Sequence, residues 1–219
     1  MKTVAIVPIK FNSERVKNKN IKKFTNGKPL CCYIFETLKK VKEIDKIYVF
    51  CSDEKIIDYI PKGVIFLKRD KSLDSSTTKI NEVLRSFSEK VDSDYYVLTH
   101  ATAPFIKSET INECLEKVKY GEYDSSFTVE KLQTFLWEDN EPINYNLNDI
   151  PRTQDLNPIY VETSGLYIFN RETILKHNRR IGNNPYMKEI SKIEAIDIDE
   201  NEDFFIADAV YNHLERLGK

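Results

Sequence analysis

The chain has 219 residues, and 33 Lys and Arg against 35 Asp and Glu give a net charge of −2. This length supports a full hydrophobic core, and the balanced charge provides no general attraction for nucleic acid or anionic lipid. We therefore expect no nucleic-acid partner and no membrane partner, so a basic cluster has a local purpose. No apolar run is long enough for a membrane span and no signal-peptide pattern is present, so we expect a cytoplasmic protein.

Seven short runs rich in β-branched or aromatic residues predict strands, and helical patterns separate most of them. The runs are residues 4–9, 46–51, 64–67, 95–99, 125–129, 163–169 and 193–198. Each helical pattern has an apolar stripe on one face. The first stripe consists of Leu30, Ile34, Leu38 and Val41, and the last consists of Ile206, Val210, Leu214 and Leu217. This alternation predicts an α/β fold with a doubly wound, mainly parallel sheet covered by helices on both faces. Ligands of such sheets bind at the carboxyl ends of strands, here the loops after Ile9, Cys51, Thr99 and Ile198.

The loop after the first strand carries five cationic side chains, which are Lys10, Arg15, Lys17, Lys19 and Lys22. Composition alone favours a solvated turn, because Lys and Arg are common on surfaces. The position favours phosphate binding, and Asn12 and Ser13 add short donors. The loop has neither the GxGxxG fingerprint nor a GK[ST] sequence. It therefore predicts a triphosphate cradle built from side-chain cations.

An acidic pair, Asp197 and Asp199, lies near the other end of the chain between isoleucines. On a strand this spacing directs both carboxylates to one face and the isoleucines to the other. Two carboxylates at a strand end suit magnesium, which takes its other ligands from phosphates and water. Asp199, Glu200, Glu202 and Asp203 also suit the start of a helix. We expect both interpretations to hold, with Asp197 and Asp199 directed to the metal.

Residues 130–162 interrupt the alternation of strands and helices. They contain three prolines, the single Trp of the chain and no sustained period. We expect one domain over residues 1–219, with an inserted arm at about 130–162 that leaves the sheet. An ordinary surface excursion is the alternative.

Seven motifs in the same order and at similar intervals resemble the cytidylyltransferase family that contains CMP-sialic acid synthetases and, more distantly, CMP-3-deoxy-manno-octulosonate synthetases. The motifs are "PIKFNSERVKNKN", "NGKPL", "SDE" at residues 52–54, Arg69 with Asp74, "THATAPFI", "PRTQDLNPIYVETSGLYIF" and "IDIDENED". The likeness runs nearly end to end. It implies a Rossmann-like nucleotidyltransferase fold and a homodimer whose inserted arm is the dimerisation element.

The resemblance also implies a reaction in which CTP and an acidic sugar give a CMP-sugar acid and pyrophosphate. It assigns nucleotide binding to Lys10, Ser13, Arg15, Lys19, Asn20, Arg69 and Asp74. It assigns Mg²⁺ to Asp197 and Asp199, which with Lys19 and Arg15 would be the catalytic groups. It assigns acceptor binding to His100, Arg152, Gln154, Tyr160, Thr163 and Ser164.

The departures from the family pattern fall mostly on the acceptor side. His100 stands where a glutamine is expected, Ile106 where an arginine is expected, and residues 163–165 differ from the usual N-G-A. His100 has a structural alternative at the strand edge, and Tyr160 has a packing alternative. Another acidic acceptor, such as a phosphonate, sugar phosphate or other ketosidic acid, therefore stays open. A non-catalytic nucleotide-binding module is a further alternative that stays open.

Overall fold

A seven-stranded sheet forms the centre of the computed structural model, which describes residues 1–11 and 15–218. In chain order the strands are β1 (Thr3–Pro8), β2 (Lys46–Cys51), β3 (Val64–Lys68), β4 (Tyr95–Thr99), β5 (Ser125–Leu132), β6 (Trp137–Glu138), β7 (Glu141–Pro142), β8 (Ile159–Asn170) and β9 (Pro185–Ile190). The sheet order is β3-β2-β1-β4-β8-β5-β9, and β6 pairs with β7 in a separate hairpin. The first four strands are parallel, β8 is antiparallel to β4 and β5, and β9 is parallel to β5.

In the described residues five α-helices accompany the sheet: α1 (Leu30–Lys39), α2 (Ile80–Lys90), α3 (Ser108–Lys119), α4 (Arg171–Leu175) and α5 (Asn201–Arg216). Alternate residues of β1 enter different cores because successive side chains of a strand point to opposite faces. Ala5 and Val7 pack with α1 and α3 on one face, whereas Val4 and Ile6 pack with α2 and α4 on the other. The predicted doubly wound, mainly parallel sheet is therefore confirmed.

The prediction of a seventh strand at residues 193–198 is wrong. Residues 193–198 form a turn followed by extended chain, and the last strand is β9, some residues earlier. Hydrogen bonds from Ala195 N to Ser191 O and from Ile196 N to Ile193 O close the turn. These bonds engage main-chain groups that a strand would use, and β9 fills the edge beside β5 from Ser125 opposite Pro185 to Glu130 opposite Ile190.

Helix α5 is present, but the apolar stripe from Ile206 to Leu217 that the sequence predicted for it is not its buried face. Ile206 is 55% exposed, whereas Phe204 and Ala207 are buried. Phe204 packs edge-on against Phe24 with ring centroids 5.1 Å apart. This aromatic contact determines which face of the helix is turned inwards, and the aliphatic period does not.

The insertion leaves the sheet later than the sequence suggests. Its two ends continue β5 and β8 as a ladder that reaches Leu132 opposite Ile159. Residues 133–158 then depart, with the β6–β7 hairpin and a short 3₁₀ turn at Thr153–Asp155. In the part of the chain that the structure describes, no helix has the length and apolar character to cross a bilayer.

Candidate active site

The predicted loops meet at the carboxyl ends of β1, β2 and β4. An open cavity of about 460 Å³ is lined from the first loop and from the residues after β4; the lining includes Lys10, Arg15, Lys19, Asn20, Ser75, Ser76, His100 and Thr102. A neighbouring cavity of about 550 Å³ is lined by Lys10, Phe11, Ser52, Asp53, Glu54, Lys68, Lys71 and Asp74. Lys10 lines both, so the two cavities are adjacent compartments of one site.

Lys19 forms the buried part of the cationic loop. It begins a 3₁₀ turn (Lys19–Ile21), and the residue before it, Asn18, has the left-handed φ of 55° that asparagine tolerates better than most residues. The Lys19 Nζ atom donates a 2.6 Å hydrogen bond to the Ile198 carbonyl and lies 3.3 Å from Asp199 Oδ1. Its side chain is only 11% exposed. A cation is therefore fixed at the boundary between the first loop and the acidic segment.

Arg15 lies at the exposed rim of the same boundary. Its Nη2 atom is 2.9 Å from Asp199 Oδ1 and its Nη1 atom is 3.2 Å from Glu200 Oε1. The nearby Asp199 charge is the main cause that raises the pKa of Arg15. Asn20 supports the loop, since its side-chain amide donates 2.9 Å to the Lys10 carbonyl. The predicted nucleotide ligand Ser13, like Asn12, lies outside the described residues.

Asp197 is a partly buried acid. Its Oδ1 atom is buried and, among the described residues, has no hydrogen-bond partner. Burial is the largest cause that raises its pKa, and the Asp199 charge raises it further, while the hydroxyls of Thr102 and Ser164 act in the opposite direction. An unpartnered buried carboxylate oxygen is costly unless a ligand satisfies it.

The acidic segment is anchored on both sides although it is not a strand. The Ile198 amide donates 2.9 Å to the Thr102 carbonyl, and the Ile198 side chain is fully buried in a cluster with Phe24 and Phe204. The predicted alternation of aspartates and isoleucines therefore persists in extended chain. Asp203 caps the following helix by accepting from the amides of Asp199 and Glu200 at 2.9 and 2.7 Å.

The chemistry of Asp197 and Asp199 fits a divalent cation. The orphaned Asp197 oxygen needs a partner, and carboxylate oxygens are hard ligands of the kind magnesium prefers. No group of three or more His, Cys, Asp or Glu gathers as a ready metal cage within residues 1–11 and 15–218. An ion held here would therefore take its remaining ligands from substrate phosphates and water, which is usual for magnesium.

Arg69 and Asp74 form a partly buried ion pair at the wall of the second cavity. Arg69 is 4% exposed, and its Nη2 atom lies 2.6 Å from Asp74 Oδ1. The Ser52 hydroxyl donates to the other Asp74 oxygen. Ser52 and Asp74 line the cavity, whereas Arg69 holds Asp74 in place.

His100 and Ser164 lie beside the candidate metal site. Burial lowers the pKa of His100 to about 4, and the positive charges of Arg180 and Lys19 add to the effect, so the imidazole is neutral near pH 7. A hydrogen bond from the Ser164 hydroxyl acts to lower the pKa of Asp197. The Thr163 hydroxyl is buried in the sheet, 2.6 Å from the Thr128 hydroxyl and 3.0 Å from its carbonyl. An acceptor role for Thr163 would require those bonds to open.

The three predicted acceptor residues on the arm do not line either cavity within the described chain. Arg152 is exposed and its guanidinium bonds to Asp155 at 2.7 and 3.0 Å. Tyr160 is 43% exposed. The main-chain carbonyl of Gln154 lies 3.5 Å from the side-chain amide of Gln133.

Sequence reasoning missed Thr102, the Ser75–Ser76 pair and Arg180. Thr102 lies inside the quoted "THATAPFI" motif and the serines directly follow Asp74, so proximity to a motif was an available signal for both. Arg180 lies in a loop without periodicity, and no sequence pattern connects it to His100.

The chain belongs to the cytidylyltransferase family, whose pattern it matches over residues 4–219. It is 28% identical over 215 residues to the N-acylneuraminate cytidylyltransferase of Streptococcus agalactiae serotype V, covering 93% of this chain and 52% of that protein. It is 24% identical over 229 residues to the pseudaminic acid cytidylyltransferase of Campylobacter jejuni serotype O:2, covering 97% and 98%. A structure of CMP:2-keto-3-deoxy-manno-octonic acid synthetase complexed with CTP matches with a TM-score of 0.73 and 14% identity, covering 97% and 99%, a likeness of fold.

The chain spans about half the length of the N-acylneuraminate cytidylyltransferases that it matches. Its match to the Campylobacter pseudaminic acid cytidylyltransferase extends over nearly the whole of both chains.

Proposed function

We propose that this chain is a CTP-dependent cytidylyltransferase that joins CMP to a sialic-acid-like (nonulosonic) sugar acid and releases pyrophosphate. The observation that carries the proposal is the contact of Lys19 with Ile198 and Asp199, which joins a cationic loop to an acidic pair in one cavity. A cavity with both features suits a metal-bound triphosphate. The family membership and the names of the relatives support CTP and a sugar acid.

In the proposed reaction a hydroxyl of the acid attacks the α-phosphorus of CTP. A new oxygen–phosphorus bond forms, the bond between the α- and β-phosphates breaks, and the hydroxyl proton is lost. Lys10, Arg15 and Lys19 would neutralise the charge that grows on the pyrophosphate. Phosphoryl-type transfer depends mainly on such positioning and charge stabilisation.

Asp197 and Asp199 would hold magnesium at this site. The bound ion would supply positive charge at the phosphates and lower the pKa of the attacking hydroxyl. Neutral His100 would bind the acceptor through hydrogen bonds, since an imidazole with a pKa of about 4 carries no charge near pH 7. Asn20 would keep the cationic loop in place through its bond to the Lys10 carbonyl.

The arm supports a proposed homodimer. Four of its apolar side chains are more than half exposed, namely Trp137 at 53%, Ile143 at 54%, Leu147 at 57% and Ile150 at 61%. Several exposed apolar side chains on one segment are typical of an interaction surface. A second copy would cover it and could bring Arg152, Gln154 and Tyr160 to the partner's site. We further propose a cytoplasmic location, where CTP is made.

A different acidic acceptor is the second candidate, because the acceptor side departs from the family pattern. Ile106 is 2% exposed where the family has an arginine, and the Thr163 hydroxyl is engaged with Thr128. A phosphonate, a sugar phosphate or another ketosidic acid would keep the nucleotide chemistry unchanged.

Pyrophosphate release tests both candidates. Each of the four nucleoside triphosphates would be incubated with magnesium and a panel of sialic, legionaminic, pseudaminic and octulosonic acids, sugar phosphates and phosphonates. Release with CTP and a nonulosonic acid is expected. Release only with a sugar phosphate or phosphonate would favour the second candidate. CTP binding without turnover of any acceptor would contradict the proposed activity and favour a non-catalytic module.

A further inference from the structure

Arg180 belongs to a polar cluster beside β8 that has no role in the proposed reaction. It lies between α4 and β9, and its Nη2 atom donates a 2.9 Å hydrogen bond to Glu162 Oε1. The Tyr167 hydroxyl donates to the same oxygen, and the guanidinium carbon lies 3.9 Å from the centre of the Tyr167 ring. These contacts hold the guanidinium by both its edge and its face. Glu162, Tyr167 and Arg180 are called the Arg180 cluster below.

The Arg180 cluster borders the candidate active site. Tyr167 lies directly opposite Leu98 in the ladder between β8 and β4, and His100 follows Leu98 by two residues. The Arg180 charge contributes to the lowered pKa of His100, and the Asp197 charge contributes to the raised pKa of Tyr167. The cluster is therefore electrostatically coupled to His100 and to one of the two aspartates, although Arg180 is not among the residues that line the 460 Å³ cavity.

Arg180 has the capacity to bind a further anion. Its side chain is 25% exposed, and among the described residues Glu162 alone accepts a hydrogen bond from it. A guanidinium has five donors in a planar fork, and a carboxylate can accept two of them in parallel. Stacking on Tyr167 fixes the plane of the fork in advance, which lowers the entropy cost of binding.

An acidic sugar needs such a cation on the acceptor side. Ile106, at the family's arginine position, is apolar and buried, and it fits against Gly165 so closely that a Cβ there would approach Ile106 Cδ1 to 2.5 Å. Lys10, Arg15 and Lys19 line the cavity on its nucleotide side. Arg180, which is held against β8 by Glu162 and Tyr167, adds a second positive charge to that of Lys19 at His100.

We propose that Arg180 binds the carboxylate of the acid acceptor and, together with His100, determines which acids the enzyme accepts. This inference rests on the proposed function, because it requires an acidic acceptor. It also explains how a chain with an isoleucine at position 106 can still select an acid.

The test measures the acceptor KM and kcat with CTP and magnesium, using the acid that the wild-type chain turns over best. Arg180→Ala should raise the acceptor KM about 10- to 100-fold, the usual range for a hydrogen bond to a charged group. Arg180→Lys keeps the charge beside Glu162 without the fork and should lie between wild type and Arg180→Ala. CTP affinity by calorimetry should stay unchanged in both. Arg179→Ala is the matched control, since that neighbouring guanidinium bonds to Asn183 instead.

The double variant Arg180→Ala with Glu162→Gln separates binding from simple neutralisation of Glu162. If Arg180 binds the acceptor, the double variant keeps the raised KM. A return to the wild-type KM would overturn the inference, as would a wild-type KM in Arg180→Ala itself. Absence of turnover of any acid by the wild type would overturn the proposed function and this inference with it, whereas turnover that is indifferent to Arg180 would overturn the inference alone.

Discussion

Lys19 Nζ donates a 2.6 Å hydrogen bond to the Ile198 carbonyl, although the two residues are 179 positions apart. The bond is buried, and it joins the loop after the first strand to the segment that carries Asp197 and Asp199. The same ammonium lies 3.3 Å from Asp199. The cations and acids that the proposed reaction needs therefore pair with each other in this structure.

Lys19 should be needed for nucleotide binding beyond the general charge of its loop. Lys19→Ala should weaken CTP binding about 10- to 100-fold, because a buried cation contributes more than a solvated one. Lys17→Ala is the matched control, since Lys17 is an exposed lysine of the same loop. Isothermal titration of CTP measures both. Equal losses in the two variants would show that only net charge matters.

Asp197→Asn should increase stability without magnesium and abolish the stabilising effect of magnesium. The raised pKa of Asp197 means that the folded state disfavours the charged carboxylate once the pH exceeds 3.8, the ordinary pKa of an aspartate. Removing that charge should raise the Tm at pH 7 by roughly 2–4 °C, the shift expected for about 1 kcal/mol in a chain of this size. Thermal unfolding with and without magnesium measures both effects.

The advantage of Asp197→Asn should fade as the pH falls from above the raised pKa of Asp197 towards 3.8, and it should be absent below 3.8, where the wild-type acid is protonated in both the folded and unfolded states. A variant that is less stable than wild type at pH 7 in magnesium-free buffer would contradict this interpretation of the orphaned oxygen.

His100 should make the protein sensitive to acid. Its pKa falls from 6.5 to about 4 on folding, so the unfolded state binds more protons between those values and stability declines as the pH is lowered through them. The decline should reach up to about 3 kcal/mol in the wild type and be smaller in His100→Gln. Urea unfolding at a series of pH values measures it, with His177→Gln as an exposed control. Parallel curves for wild type and His100→Gln would contradict the lowered pKa of His100 in the folded protein.

The exposed apolar side chains of the arm should support a dimer. Ile150→Glu places a charge on a side chain that is 61% exposed and should weaken dimerisation at least about tenfold, since a charge buried in an interface is costly. Ile57→Glu is the control at a site that is 48% exposed in the 3₁₀ helix Glu54–Tyr59. Sedimentation equilibrium distinguishes them. A wild-type monomer at micromolar concentration would contradict the role of the arm.

The sequence predicted which strand ends meet around the cavities better than it predicted the edge of the sheet. Local alternation identified β1, β2 and β4, and their carboxyl ends place Lys10, Ser52 and His100 around adjacent cavities. The antiparallel direction of β8 and the position of β9 depend on pairing between distant segments, which no local period records.

Two features of the structure lay beyond sequence reasoning for the same physical reason. Arg180 is held by stacking on Tyr167, a contact decided by packing across the sheet. The inward face of α5 is decided by Phe204 against Phe24, although Ile206 fits the helical period better. Both are tertiary contacts that override local patterns.

The most direct test of the joined site is CTP binding to the wild type and Asp199→Asn, with and without magnesium. Asp199 contacts Arg15 and Lys19, so its removal should leave magnesium-free CTP binding as tight as in the wild type or tighter. Magnesium should tighten binding in the wild type and have little effect in Asp199→Asn. If magnesium tightens binding equally in both proteins, Asp199 does not hold the metal and the proposed metal–triphosphate site is wrong.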